Sequence, residues 1–179
     1  MLLESYAKGK RTLEIFLDEL PSSPREDDNL GTLVYGHRRY VLGEEEAWNV
    51  DDYTNWTDWK KGELGDAIAL PVYLYDHSGL SVSTNRHYPF DCPWDSGQLG
   101  WIYVSRAKAR EWLGYKRISK QRERQVLEYL QNEVKVFDAY LRGEVYGYIL
   151  YEDGKEIDSC WGFYTIEDIL EDTNFKEVA

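Results

Sequence analysis

Two cysteines, one methionine, three histidines and five prolines in 179 residues leave several function classes short of material. Cys92 and Cys160 are too few and too far apart for a disulfide framework, so the sequence predicts free thiols that serve packing in a reducing compartment. Nowhere do about 18 apolar residues run together. Met1-Leu2-Leu3-Glu4-Ser5-Tyr6-Ala7-Lys8 also lacks the basic-then-apolar order of a secretory signal, so the expectation is a cytoplasmic protein with no membrane partner. His77, His87, Cys92 and Cys160 are types that zinc accepts, yet none stands at a ligand spacing, and His77 and His87 fall near opposite ends of a hairpin strand. No metal and no cofactor are therefore expected. There is no internal repeat and no low-complexity stretch.

What the chain does have is aromatic and acidic. Hydrophobic residues make up 42% and aromatic ones 15% of it, ample for a buried core. The length suits one domain spanning 1–179, with residues 1–10 a loosely ordered N-terminal segment. The net charge is −12, but it is unevenly spread. From Trp101 to Gln125, eight bases face two acids; from Val126 to Ala179, thirteen acids face four bases. Two opposed uses fit that pattern. The cationic island touches phosphate or an acidic partner, or the acidic surface imitates a polyanion and occupies a nucleic-acid groove. A solvated helix face is the plain alternative.

The pattern of elements is that of an α+β domain on a mainly antiparallel sheet, with one long and two or three shorter helices. Thr12–Leu17, Gly31–Tyr35, Tyr40–Leu42 and Gly100–Val104 read as strands, and Val50 to Lys61 carries Trp56 and Trp59 at helical spacing. Ile68–Tyr75 and Leu80–Thr84 form a hairpin turning at Asp76-His77-Ser78-Gly79. A second hairpin crosses Asp153-Gly154. Ser105 caps a short helix stopped by Gly114, and Ser119 caps the longest one. That helix buries Val126, Leu127, Leu130, Val134, Phe137 and Leu141 before Gly143 ends it. Thr165 caps the last.

The stretch Leu70 to Trp101 holds two of the three histidines and one of the two cysteines, with polar groups set beside glycines as functional loops are. Its candidate binding residues are Asp76, His77, Arg86, His87, Trp94, Asp95, Ser96 and Gln98, joined by Arg38 and Arg39 upstream. Arg106, Lys108, Arg110, Lys116, Arg117 and Lys120, interleaved with Trp112 and Tyr115, suit phosphate contact combined with base stacking. Catalysis is less well supplied. Cys92 precedes proline in an aromatic loop, the setting of a buried thiol, and 33 acids make any carboxylate pair uninformative. No catalytic residue is assigned.

The strings Cys92-Pro93-Trp94-Asp95-Ser96-Gly97-Gln98 and Asp158-Ser159-Cys160-Trp161-Gly162-Phe163-Tyr164 carry a likeness that extends from about Asn29 to Tyr164. In them the chain resembles a family of small uncharacterised proteins of bacterial phages, plasmids and other mobile elements. That resemblance implies a setting in the bacterial host cytoplasm and an anti-defence role, anti-CRISPR or anti-restriction. The expected mode is stoichiometric binding to a host defence effector, its DNA or RNA, or both. A second expectation is a nuclease or nucleotide-signal hydrolase using His77, His87, Asp76 and Asp95. A third is capture of a small anion among Arg38, Arg39, Arg86 and the tryptophans.

Overall fold

Turn and cap chemistry decides where the chain reverses, and a computed structural model describes residues 1–47 and 50–175. In chain order the elements are β1 (Leu2–Lys8), β2 (Arg11–Leu17), β3 (Thr32–Tyr35), β4 (Glu45–Glu46), α1 (Trp56–Trp59), β5 (Ile68–Asp76), β6 (Leu80–Ser83), β7 (Ser96–Val104), α2 (Arg106–Leu113), α3 (Lys120–Leu141), β8 (Tyr146–Glu152), β9 (Lys155–Phe163) and α4 (Ile166–Asp172). This is an α+β fold with one long helix and two mostly antiparallel sheets. The chain divides into two compact units, Met1–Ser23 with Ala139–Ala179, and Pro24–Asp138.

The first unit holds the sheet β1-β2-β8-β9, antiparallel throughout. Residues 1–10, read from the sequence as loosely ordered, contain the edge strand β1. Gly9 (φ +64°) opens the two-residue turn that pairs Lys8 with Arg11, the position where a hairpin favours glycine. Asp153 and Gly154 both take positive φ, +49° and +77°, in the tight turn between β8 and β9. Leu13 and Ile15 of β2 and Tyr148 and Leu150 of β8 bury one face against Ile169 and Phe175. Thr165 caps α4 by accepting from the Asp168 amide, so Ile169 is fixed over that face.

Tyr148 brings a polar group into this core. Its hydroxyl is 2.8 Å from Asp158 Oδ2, to which it donates, and 3.3 Å from Asp172 Oδ2. Burial and then these two carboxylates push the phenol far above its ordinary value of 10.0. Only the neutral phenol is stabilised by folding, so its contribution is complete below about pH 10 and is lost as the pH climbs beyond it. Urea unfolding at pH 8 and pH 11 should show wild type losing stability over that interval. Tyr148→Phe should start about 1–3 kcal/mol lower and fall less steeply.

The second unit holds the sheet β4-β3-β7-β5-β6, in which only β3 and β4 run parallel. Leu33 pairs with Ile102 and Ile68 with Val104 on one face, and Val126, Leu130, Val134 and Phe137 form the buried stripe of α3. A Cβ at Gly31 would touch Leu130 and Ile102 together, so α3 lies over that face. On the other face Val34, Ala47 and Trp59 are buried, with Trp101, Tyr103, Trp56 and Tyr53 packed on them. The Trp101 indole donates to the Trp56 carbonyl at 3.0 Å.

Two predicted elements change form. Tyr40–Leu42 is not a strand, and Val41 is 82% exposed. The edge of β3 is taken instead by Glu45–Glu46, with the Glu44 and Ala47 amides donating to the Leu33 and Tyr35 carbonyls at 3.0 and 2.7 Å. The helix expected from Val50 to Lys61 breaks into a 3-10 turn at Val50–Asp52, α1, and a wider π turn over Lys60–Leu64. Asn55 sets that break: it is extended, and its side chain accepts from the Thr57 and Asp58 amides.

Candidate functional site

Strand β7 joins two surfaces of the second unit. Its first residue borders a cleft and its last leads through Ser105 into α2. Nine residues at about 3.3 Å each separate the two by the length of the sheet.

Three segments distant in sequence build the cleft, of about 300 Å³: Gly36, His37 and Arg39 after β3, Leu74 and Asp76 at the end of β5, and Trp94 to Leu99. Backbone bonds hold them together. The Gly36 amide donates to Leu99 O at 2.9 Å and the Asp76 amide to Asp95 O at 2.8 Å. The loop before β7 is closed by the Cys92 amide on Pro89 O and the Ser96 amide on Cys92 O, both at 3.1 Å. The Ser96 hydroxyl also donates to Cys92 O. On this braced loop Trp94 is 90% exposed, an indole presented to solvent with little chain freedom left to lose on binding.

The polar groups of the cleft are paired by charge. Arg39 is ion-paired with Asp76, and its guanidinium lies 5.2 Å from the Tyr40 ring centroid. His77 Nδ1 stands 3.5 Å from Asp95 Oδ2, and the Cys92 thiol 3.8 Å from the same oxygen. The Gln98 side chain donates to Gly100 O at 3.1 Å, which leaves its carbonyl oxygen as an acceptor.

Of the binding residues expected from sequence, Arg39, Asp76, Trp94, Asp95, Ser96 and Gln98 line this cleft and His77 reaches it through Asp95. Arg38, Arg86 and His87 are exposed and lie outside its lining. His37 lines it and was passed over. Its position directly after the Gly36 that ends β3 was the available signal, since loops leaving a strand end commonly carry the site. Among the described residues no three His, Cys, Asp or Glu side chains gather as metal ligands.

The second surface is the elbow between α2 and α3. Ser105 accepts from the Lys108 amide to start α2 and Gly114, at φ +71°, ends it, while the Ser119 hydroxyl accepts from the Arg122 amide to start α3. These caps turn a run of cations outward. Arg106 is committed inside the unit, donating to Asp66 O at 2.9 Å and Glu123 at 3.2 Å, and Lys108 holds Asn29 O at 2.7 Å. Arg110, Lys116, Arg117 and Lys120 are exposed and enter no ion pair among the described residues. Arg122 lies 3.4 Å above the Tyr115 ring, and Trp112 meets Tyr129 at 4.9 Å with both rings over 40% exposed. No family model matches the sequence, and neither the curated proteins nor the solved structures gave a match.

Proposed function

We propose that the chain is a stoichiometric binding protein of a bacterial mobile element that inhibits a nucleic-acid-handling defence effector, with the α2–α3 elbow seated on the effector's nucleic acid. One observation carries this reading: four exposed cations, Arg110, Lys116, Arg117 and Lys120, enter no ion pair among the described residues and stand beside exposed rings in a chain whose net charge is −12. Cation and ring side by side suit phosphate contact with base stacking. Within the elbow the balance is reversed: from Trp101 to Gln125 eight bases face two acids. At physiological salt the screening length is about 8 Å, so acids beyond that distance repel little while the elbow acts at contact. The resemblance to mobile-element accessory proteins supplies the setting, and an inhibitor that occupies a groove needs no turnover.

The test is fluorescence anisotropy with labelled single-stranded RNA and DNA, free and loaded in a CRISPR or restriction complex. Four phosphate contacts on single strands give a log–log salt slope near −2.8, or about 50-fold weaker binding between 50 and 200 mM salt. Replacing Lys116, Arg117 and Lys120 together by Glu should abolish the signal. A flat salt response, or full affinity in the triple variant, would remove the elbow from the function. Multiple turnover of the oligonucleotide, lost in His77→Ala, would make the protein an enzyme.

A further inference from the structure

The cleft at the start of β7 has a different chemistry from the elbow, and we infer that it captures the guanidinium of an arginine side chain from a protein partner. The partner's identity as the effector rests on the function proposed above, whereas the arginine site rests on the cleft alone. Its lining carries Asp76 and Asp95 against the single cation Arg39, a formal excess of one negative charge with the histidines neutral. Arg39 is already spent on Asp76, so no free cation lines the cleft to receive a phosphate. Asp95 is differently placed. Its neighbours are the His77 imidazole Nδ1 at 3.5 Å and the Cys92 thiol at 3.8 Å, both on Oδ2, the one at the limit of hydrogen-bond distance and the other a weak donor. With the side chain 35% exposed, it keeps lone pairs for a forked donor while being partly shielded from water.

Trp94 supplies the second half of the recognition. An indole face attracts cations and stacks best on a planar one, and this indole is held out by a loop closed with the bonds already described. Gln98 offers its carbonyl oxygen as a further acceptor beside Gly97, where no side chain blocks the approach and even a Cβ would meet nothing within 4 Å. The same cleft displays the arrangement in miniature. Arg39, from the protein's own chain, lies on Asp76 with its guanidinium 5.2 Å from the Tyr40 ring centroid, and Asp95 and Trp94 bring a second carboxylate and a second ring to the lining. A volume of about 300 Å³ fits one such side chain. Proteins that handle nucleic acid line their grooves with arginine, so an occupant of this chemistry is at hand wherever the elbow binds.

The test uses the full chain and small probes, without nucleic acid, so its failure and that of the elbow assay are separable. The indole N–H resonance of Trp94 is followed by ¹H–¹⁵N NMR during titration with N-acetyl-arginine amide, N-acetyl-citrulline amide, N-acetyl-lysine amide and guanosine monophosphate. Arginine amide should give a saturable shift, and citrulline, with the same shape and no charge, should bind about tenfold more weakly or less. Lysine, charged but not planar, should fall between them. Asp95→Asn should weaken the arginine probe about tenfold. In Trp94→Ala, an exposed position whose loss leaves the core intact, the Gly97 amide should report a comparable loss. Equal binding of arginine and citrulline, preference for the nucleotide, or no movement with any probe overturns the assignment.

Discussion

Glu133→Ala should cost about 3–5 kcal/mol and lower the thermal midpoint by roughly 10 °C, the largest loss expected from any single side chain outside the apolar core. Glu133 sits on the buried side of α3 with its side chain 8% exposed, 3.2 Å from the guanidinium of Arg25, which is 6% exposed. It also accepts from the Leu30 amide at 2.8 Å and the Gly31 amide at 3.1 Å. Arg25 in turn donates to Gly31 O and pairs with Glu44, and Glu44 accepts from the Leu33 amide at 2.7 Å. One carboxylate therefore fastens the segment leading into β3 onto α3, and its removal takes one acceptor from a buried guanidinium that keeps Glu44 and Gly31 O, and takes from two backbone donors the acceptor they share. Differential scanning calorimetry of Glu133→Ala beside Glu133→Gln separates the parts. Glutamine keeps an acceptor for the amides and loses the charge, so it should fall between wild type and alanine. The double replacement Arg25→Met with Glu133→Leu should recover only part of the loss, because the buried Arg25 charge is gone while the Leu30 and Gly31 amides still miss their acceptor and Glu44 loses its cation. A loss under 1 kcal/mol for alanine would mean that water reaches this network freely.

The latch also bears on the elbow. Asp28, Asn29 and Leu30 share a groove of about 250 Å³ with Lys108, Glu111, Trp112 and Tyr129, and the bonds of Glu133 hold Leu30 in that place. In the anisotropy assay Glu133→Ala should thus weaken binding as well as stability.

Much of this architecture could be read from local chemistry. Ser105, Gly114, Ser119 and Thr165 lie where caps and stops were expected, and the apolar period of α3 names its buried face. Asp153-Gly154 is likewise local, since both residue types tolerate positive φ, and the Asp76–Gly79 turn falls where its polar and glycine run places it, although Ser78 rather than Gly79 takes the positive φ. What escaped reading depends on partners far along the chain. Tyr40–Leu42 has strand propensity, yet Gly43 lies so close to β3 that a Cβ would stand 2.4 Å from Leu33 O, and that approach hands the edge to the next residues. Trp56 and Trp59 have helical spacing, but their rings are drawn onto Val34 and Trp101, with Asn55 ending the turn before them. The cleft is the extreme case. Its residues were legible as a group from Asp76 to Gln98, while the wall from Gly36 to Arg39 joins through a pairing of β3 with β7 that no local pattern announces.

That pairing can be broken by one methyl group. Gly100→Ala places a Cβ 2.0 Å from the Val34 carbonyl oxygen and 3.0 Å from the Tyr35 Cα. The obstacle is backbone, which cannot rotate aside, so β3 must shift away from β7 at the Tyr35–Gly100 step. The cost should reach about 3 kcal/mol, the upper part of the range for overpacking. The first bond to suffer is the Gly36 amide to Leu99 O, which carries the His37 and Arg39 side of the cleft. Amide hydrogen exchange at Gly36 should therefore accelerate more than global unfolding accounts for, and arginine-probe binding should weaken in molecules still folded. Gly97→Ala is the matched control, three residues earlier on the same strand. Its Cβ meets nothing within 4 Å, so stability should change by less than about 0.5 kcal/mol while the added methyl narrows the cleft that Gly97 lines. Loss of probe binding in both variants, with loss of stability only in the first, separates the two jobs of β7: Gly100 lets its neighbour strand approach, and Gly97 keeps the cleft open. Equal stability of the two variants would show that β3 is free to move at Val34, and the cleft wall would then need another anchor than this strand pair.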